Sequence, residues 1–396
     1  MSDSHSPALV GAGVGVTLPR GFAASGVTAG LKASGRPDVA VVHNLGPGMS
    51  AAAVFTSNRV HAAPVKWSRQ AVADGQVQAV VLNSGGANAC TGPAGFTDSA
   101  ATASRVAERL GVITDNVAVC STGLIGLRLP MDLLLNGVDD ACAALSGDGG
   151  AAAANAIMTT DSVPKQAGVV VGSWAIGGMA KGAGMLAPGL ATMLVVLTTD
   201  AVVPAESLQA ALREATRLSF DRADSDGCMS TNDTVLLMSS GASGEAPDPA
   251  AFQDALTAVC QDLARQLIAD AEGASHEIAI EVVGAASERD AEVVGREIAR
   301  SNLFKCAIFG GDPNWGRVLS AIGVTDAAFE PDQLDVSFNG VMVCRGGQIG
   351  DDRALVDLSP RQVDVRVDLH AGGDTATILT NDLTYDYVKE NAEYST

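Results

Sequence analysis

Residues 181–200 read KGAGMLAPGLATMLVVLTTD, and Thr192 is the side chain there whose setting invites chemistry. A Gly-rich run, 181–185, passes through Pro188 and Gly189 to Ala191 and Thr192, and an apolar, β-branched segment, 193–197, follows. That order puts Thr192 at the mouth of a buried strand. A threonine hydroxyl needs a base beside it to act as a nucleophile, and a threonine at a chain N-terminus carries one in its own α-amine. Such an amine titrates near 7.7–8.0, which suits proton transfer at neutral pH. Creating that terminus requires the Thr192 hydroxyl to attack the Ala191 carbonyl, shift the acyl group from nitrogen to oxygen, and release two chains on hydrolysis. β-Branching restricts the Thr192 χ1 and so fixes the direction of its hydroxyl.

Plainer readings compete for the same stretch. GAGMLA at 182–187 fits a dinucleotide fingerprint, but that motif must follow a strand and open a helix, whereas Pro188, Gly189 and a strand follow here. The uncharged run 182–199 has the length of a membrane span, yet a proline, glycines and threonines interrupt its hydropathy. A turn feeding a core strand is the commonest meaning of such a pattern.

The elements that must position this stretch come from a chain of 396 residues, long enough for two or three domains and a large core. With 47% hydrophobic residues, 4% aromatics and 44 glycines, the composition is that of a globular protein with closely packed helices and strands. A formal charge of −20 disfavours a nucleic-acid or anionic-membrane partner, since both demand clustered Lys and Arg, and fits a soluble cytoplasmic enzyme. The N-terminus has an acid where a secretory signal carries basic residues. Seven widely spaced cysteines form no metal or disulfide pattern, so most are expected to be small core residues, and no metal site or cofactor is expected.

Apolar runs predict strands over 39–42, 52–56, 77–83, 117–121, 193–197 and 234–238, with a hairpin over 169–174 and 176–179. Helices are predicted over 64–73, 131–145, 151–158, 204–218 and 249–270, with another ending near Leu110. Small residues at 83–92 permit close backbone approach to a ligand or simply a turn, and the turn at 122–126 offers N–H groups to a developing oxyanion. TTDS at 159–162 reads as a helix end, Glu272 as a solvated carboxylate at a junction, and the acids of 221–227 fail the calcium-loop positions. Beyond 277, elements at 278–283, 287–299 and 304–309 precede a helix begun by Asp312 and Pro313. Short strands at 334–338, 341–344, 363–369 and 375–379 then suggest an antiparallel α+β lobe, with a domain boundary near Ser275.

Taken in order, NSGGANACTG, CSTGLIG, IMTTDSVPK, GGMAKGAGMLAPGLATML, DGCMSTNDT, IADAEGA, GGDPNWGRV and the terminal ENAEYST resemble the ornithine acetyltransferase family, the ArgJ proteins of arginine biosynthesis. The resemblance spans essentially the whole chain. It implies a layered α/β fold, an αββα-type sandwich of the DmpA/ArgJ-like class that shares a mechanism with N-terminal nucleophile hydrolases on a different topology, with a main domain over 1–275 and a smaller α+β lobe over 276–396 whose tail returns to the site. It also implies cleavage between Ala191 and Thr192 into α (1–191) and β (192–396) chains, assembled as two of each. Thr192 would be the nucleophile of a glutamate N-acetyltransferase, moving acetyl from N-acetylornithine to glutamate through an acetyl-threonine ester, with acetyl-CoA left open as a second donor. Thr122 and Gly123 match the family's oxyanion hole, and Thr159, Lys181, Thr192, Glu272, Asn391 and Thr396 its substrate-binding positions. Lys181 would meet a substrate carboxylate and Glu272 the δ-ammonium. Position 86 is Gly where the family pattern has Asn, which touches the loop and leaves the nucleophile motif intact. Two rivals share these residues: a self-processing aminopeptidase or amide hydrolase in which water takes the acyl group, and an uncleaved small-molecule binding protein.

Overall fold

The computed structural model describes residues 15–185, 187 and 193–393; Ala191, Thr192 and Thr396 therefore lie outside the described residues. In chain order the first part runs β1 (Phe22–Val27), β2 (Val39–Asn44), β3 (Ser50–Phe55), α1 (Ala63–Ala71), β4 (Ala79–Asn83), α2 (Gly92–Leu110), β5 (Val117–Ser121), α3 (Met131–Ala143), α4 (Gly150–Ala156), β6 (Lys165–Val171) and β7 (Trp174–Lys181). Then come β8 (Leu194–Thr199), α5 (Ala205–Arg217), β9 (Thr234–Ser239) and α6 (Pro249–Ala269). The last part is β10 (Glu277–Ala285), α7 (Glu288–Arg300), α8 (Asn302–Phe309), α9 (Trp315–Ile322), β11 (Asp335–Phe338), β12 (Val341–Arg345), β13 (Gln348–Ile349), β14 (Gln362–Asp368), β15 (Asp374–Asn381) and α10 (Tyr385–Glu393).

Two sheets stack face to face. One has the order β1-β2-β4-β5 and the other β3-β9-β8-β7-β6. Val42, Val80 and Leu82 from the first meet Leu194, Val196 and Leu236 from the second in one buried cluster that also takes Ile157 beyond α4. The outer face of the first sheet packs on α2 and α3 through Val39, Val81, Val106 and Val138, and the outer face of the second on α5 and α6 through Val195, Leu197, Leu212 and Leu263. The layers are thus α, β, β, α, the layered α/β class expected. Strands covered on both faces need apolar residues at every position, and β4, β5, β8 and β9 are buried throughout. Truncating a core residue such as Leu197 to Ala would cost about 2–5 kcal/mol.

The third sheet, β13-β12-β11-β14-β10-β15, is built wholly from residues after 276 and carries α7 and α9 on one face. Its other face meets α6 at β15, where Leu379 packs on the α5/α6 core, and is open over β14, which alternates buried and exposed positions, QVDVRVD reading outward at Asp364 and Arg366. Helix starts follow side-chain chemistry: Asp248 accepts from the N–H groups of Ala250 and Ala251, and Ser287 from Asp290.

Several expectations need correction. The last sheet is mixed, because β10 pairs parallel to β14 with Ile278 opposite Val363, the long intervening chain supplying the crossover that a parallel pair requires. The hairpin turns at Gly172 and Ser173, with Val171 opposite Trp174, so Trp174 opens the second strand instead of closing the first. Asn314, not Asp312, caps α9, its Oδ1 accepting from Arg317 N while its Nδ2 donates to Asp312. Only Cys120, Cys260 and Cys344 are buried; Cys90, Cys228 and Cys306 are exposed, because two sit in loops and Cys306 faces solvent from α8. Strand β1 was not foreseen, its FAASGV being too poor in large β-branched residues to announce itself.

Candidate active site

Where β5 ends, its pairing with β4 is prolonged by the Thr122 N–H, which donates to Asn83 O at 2.9 Å, and Gly86 N donates back to Thr122 O at 3.0 Å. The Gly85–Gly86 backbone is therefore pressed against Gly123, whose φ is +130°; a Cβ there would stand 2.8 Å from Gly86 N. Only glycine fits position 123. Lys181 closes β7 opposite Leu194 of β8, and its Nζ donates to Thr122 Oγ1 at 3.2 Å. Because the Thr122 oxygen accepts from Lys181, its own proton is free to point elsewhere.

A short polar turn after α4 brings Thr159 to the same place, its N–H donating to Asp161 Oδ2 at 2.9 Å. Asp161 Oδ1 in turn accepts from Gly182 N at 2.7 Å, tying the Gly-rich loop to that turn. From the other side, Glu272 follows α6 and donates its N–H to Ala183 O at 2.9 Å. A Cβ on Gly184 would lie 2.7–2.9 Å from the Glu272 carboxyl atoms, so a glycine there lets the carboxylate lie over the loop. Helix α10 supplies Asn391, whose Nδ2 donates to Glu272 Oε2 at 3.2 Å, and Thr384 fastens the helix by donating to Gly273 O at 2.6 Å.

These side chains line one cavity of about 200 Å³. Thr122, Gly123, Thr159, Lys181, Glu272 and Asn391 all face it, together with Asp226, Cys228 and Tyr387, which sequence reasoning did not single out. Glu272 is a wall of this cavity and not merely a solvated junction residue. Asp226 accepts from Met185 N at 2.9 Å, so the acids at 221–227 that fail as a calcium loop serve to hold the Gly-rich loop. The only signal for it was its place in DGCMSTNDT. Ala191, Thr192 and Thr396 fall outside the described residues, but the residue after Thr192 is anchored: Met193 N donates to Asp233 Oδ1 at 3.1 Å, and Met193 O accepts from Thr234 N at 3.2 Å.

The electrostatics are uneven. Burial pushes the Lys181 ammonium below its usual range, opposed by Asp161. Burial would raise Asp161, yet the Lys181 and Lys165 charges and the hydrogen bonds it accepts pull it below the usual carboxylate range. Burial drives Asp233 well above that range and lifts Asp226 to about 6.

A family model for the ArgJ family matches residues 23–396. The chain belongs to the ArgJ family. It is similar, at 66% identity over 96% of this chain and the whole of the relative, to the arginine biosynthesis bifunctional protein ArgJ of Thermobifida fusca. The Streptomyces coelicolor protein of the same name is 64% identical over 96% of this chain and 99% of its own. Among solved structures, that of ornithine acetyltransferase from Mycobacterium tuberculosis, complexed with ornithine, is 54% identical, covers 47% of this chain and 99% of its own, and has a TM-score of 0.45. Membership makes this family member an acyltransferase of arginine biosynthesis. Among its described residues no helix is long and apolar enough to cross a membrane.

Proposed function

We propose that the chain cleaves itself between Ala191 and Thr192 and then moves the acetyl group of N2-acetyl-L-ornithine to L-glutamate, giving ornithine and N-acetylglutamate. The observation that carries this reading is the single cavity lined by Thr122, Gly123, Thr159, Lys181, Glu272 and Asn391, side by side with an anchored Met193. In it the Thr192 hydroxyl attacks the acetyl carbonyl while its α-amine takes the proton. The oxyanion is met by the Gly123 N–H and the Thr122 hydroxyl, whose proton is left free by the Lys181 contact. The α-amine returns the proton to the departing ornithine nitrogen, leaving an acetyl ester. The amine of glutamate then attacks that ester, and the steps run in reverse.

Lys181 sits where the α-carboxylate common to both amino acids needs a cation, while Glu272, oriented by Asn391, suits the δ-ammonium of ornithine. Thr159 and Thr396 complete the binding positions on the family pattern, acetyl-CoA is a second donor, and two α and two β chains form the assembly. The division into 1–275 and 276–396 follows the sheets, with α10 carrying the tail back to Glu272.

Intact-mass analysis after incubation with N-acetylornithine tests the reading. Two fragments split at Ala191 and Thr192 are expected, the second heavier by about 42 Da, one acetyl group. Thr192→Ala should remain a single chain and transfer nothing. A Thr192→Ala protein that still cleaves, or a wild-type chain that hydrolyses N-acetylornithine without acetylating glutamate, would sink it.

A further inference from the structure

Beside the active-site cavity lies a second one, of about 380 Å³, that shares Gly123 and Thr159 with it and is otherwise lined by residues of 31–36, Ser84, Gly85 and Leu124. Its cations are Lys32 and Arg36. In a chain of net charge −20, neither makes an ion pair among the described residues. The loop that carries them is fixed from beneath: both oxygens of the buried Asp38 are taken up by the N–H groups of Ala29, Leu31 and Lys32, at 2.6, 2.6 and 3.1 Å. Leu31 packs so closely on the turn after β4 that a Cβ on Gly85 would fall 2.2 Å from the Leu31 Cβ. Lys32 Nζ is held by two neutral carbonyls, Pro37 O at 2.9 Å and Met158 O at 2.6 Å, one residue before Thr159. Two of its three protons are thereby directed, and its charge has no carboxylate in contact.

The proposed reaction poses a problem that this cavity solves. Ornithine and glutamate share an α-amino-acid head, but one ends in an ammonium and the other in a carboxylate. Among the described residues Lys181 is the single cation lining the main cavity, and the shared α-carboxylate claims it. The remaining charged wall, Asp226 and Glu272, attracts an ammonium and repels a carboxylate. We infer that the Lys32/Arg36 cavity is an anion subsite of the active site, taking the side-chain carboxylate of the dicarboxylic acceptor or a phosphate of a CoA-borne acetyl donor. The inference rests on the transferase reading above. Burial, aided by the Arg36 and Lys181 charges against Asp38 and Asp161, already holds the Lys32 ammonium down to about 8, so a bound anion would supply the counter-charge it lacks.

Steady-state kinetics of the matured enzyme test this with Lys32→Met, Arg36→Gln and Arg36→Lys. Wild type must first transfer acetyl from N-acetylornithine to glutamate; failure there overturns the transferase reading itself. Given transfer, the Met and Gln variants should raise KM for glutamate by roughly tenfold, several times more than KM for N-acetylornithine, as loss of a charge-assisted contact to one substrate requires. Arg36→Lys should recover part of that loss. In wild type the glutamate KM should climb above about pH 8, and this climb should be absent in Lys32→Met. With acetyl-CoA as donor, a selective rise in its KM and none in that of glutamate would assign the subsite to phosphate. Equal rises for every substrate, or no rise for glutamate or acetyl-CoA, would overturn the inference.

Discussion

Lys165 and Lys181 are both fully buried, on neighbouring strands of one sheet, with Lys165 of β6 opposite Ala180 of β7. Their surroundings are opposite. Lys165 Nζ lies between two carboxylates, 2.7 Å from Asp161 and 2.6 Å from Asp270, and Asp270 is further satisfied by Ser162. Lys181 Nζ touches a neutral hydroxyl, that of Thr122, at the cavity wall. A buried ion with a complete set of partners holds structure together; a buried ion short of one is a site waiting for a ligand's charge. The Asp161–Lys165–Asp270 set ties the turn after α4 to β6 and α6, and through Gly182 to the loop that leads toward Thr192. With Asp161 and Asp270 both in contact with Lys165, Lys181 is left at the cavity wall without a carboxylate in contact among the described residues.

The difference can be broken by removing each ammonium in turn. Lys165→Met leaves two carboxylates buried without their cation, and should cost about 3–5 kcal/mol of unfolding free energy. Urea unfolding of the matured protein measures it. Lys181→Met removes an ion that burial disfavours but whose charge also helps hold Asp161 ionised, so stability should fall by less than in Lys165→Met while acetyl transfer falls roughly a hundredfold. Equal losses of stability in the two variants would erase the distinction. A Lys181→Met enzyme with near wild-type kcat and KM would do the same from the side of function.

Why the sequence revealed one lysine and not the other is physical. The central strands around the site were legible because 79–82, 117–120 and 193–197 are apolar runs rich in Val and Leu, as strands covered on both faces require, but the predicted hairpin over 169–174 and 176–179 stopped short of both lysines. Lys181, Thr122 and Glu272 were reached by resemblance to a family, since nothing in their local spacing distinguishes them from a strand end, a turn and a solvated acid. The part played by Lys165, which closes the motif IMTTDSVPK, was not legible: its partners are four and 105 positions away, and only the stacking of α6 on β6 brings Asp270 to it. TTDS at 159–162 does follow the end of a helix, as its composition says, but Asp161 within it also holds Lys165, and Thr159 and Thr160 face the cavity. The tail looked merely polar because α10 buries no residue and so shows no apolar stripe, although it brings Asn391 onto Glu272.

Asp161 and Asp226 repeat the contrast with the sign reversed, and pH separates them. Asp161 is held below the usual range, so its stabilisation is present above the unfolded value near 3.9 and is lost as the medium is acidified below that. Asp226 is lifted to about 6, chiefly by burial and with Glu272 and Asp224 adding to it against the Met185 N–H and Lys305. Between about pH 4 and 6 the folded chain keeps a proton there that the unfolded chain has lost, so stability falls as pH rises through that window and stays reduced above it. Asp226→Asn should therefore gain about 1–2 kcal/mol at pH 7.5 and nothing at pH 4, its side-chain oxygen still able to accept from Met185 N. Asp161→Asn should lose stability at pH 7.5, because it strips Lys165 of a partner. If both variants shift urea midpoints in the same direction at pH 7.5, partner completeness does not decide which buried charges serve the frame and which serve the site.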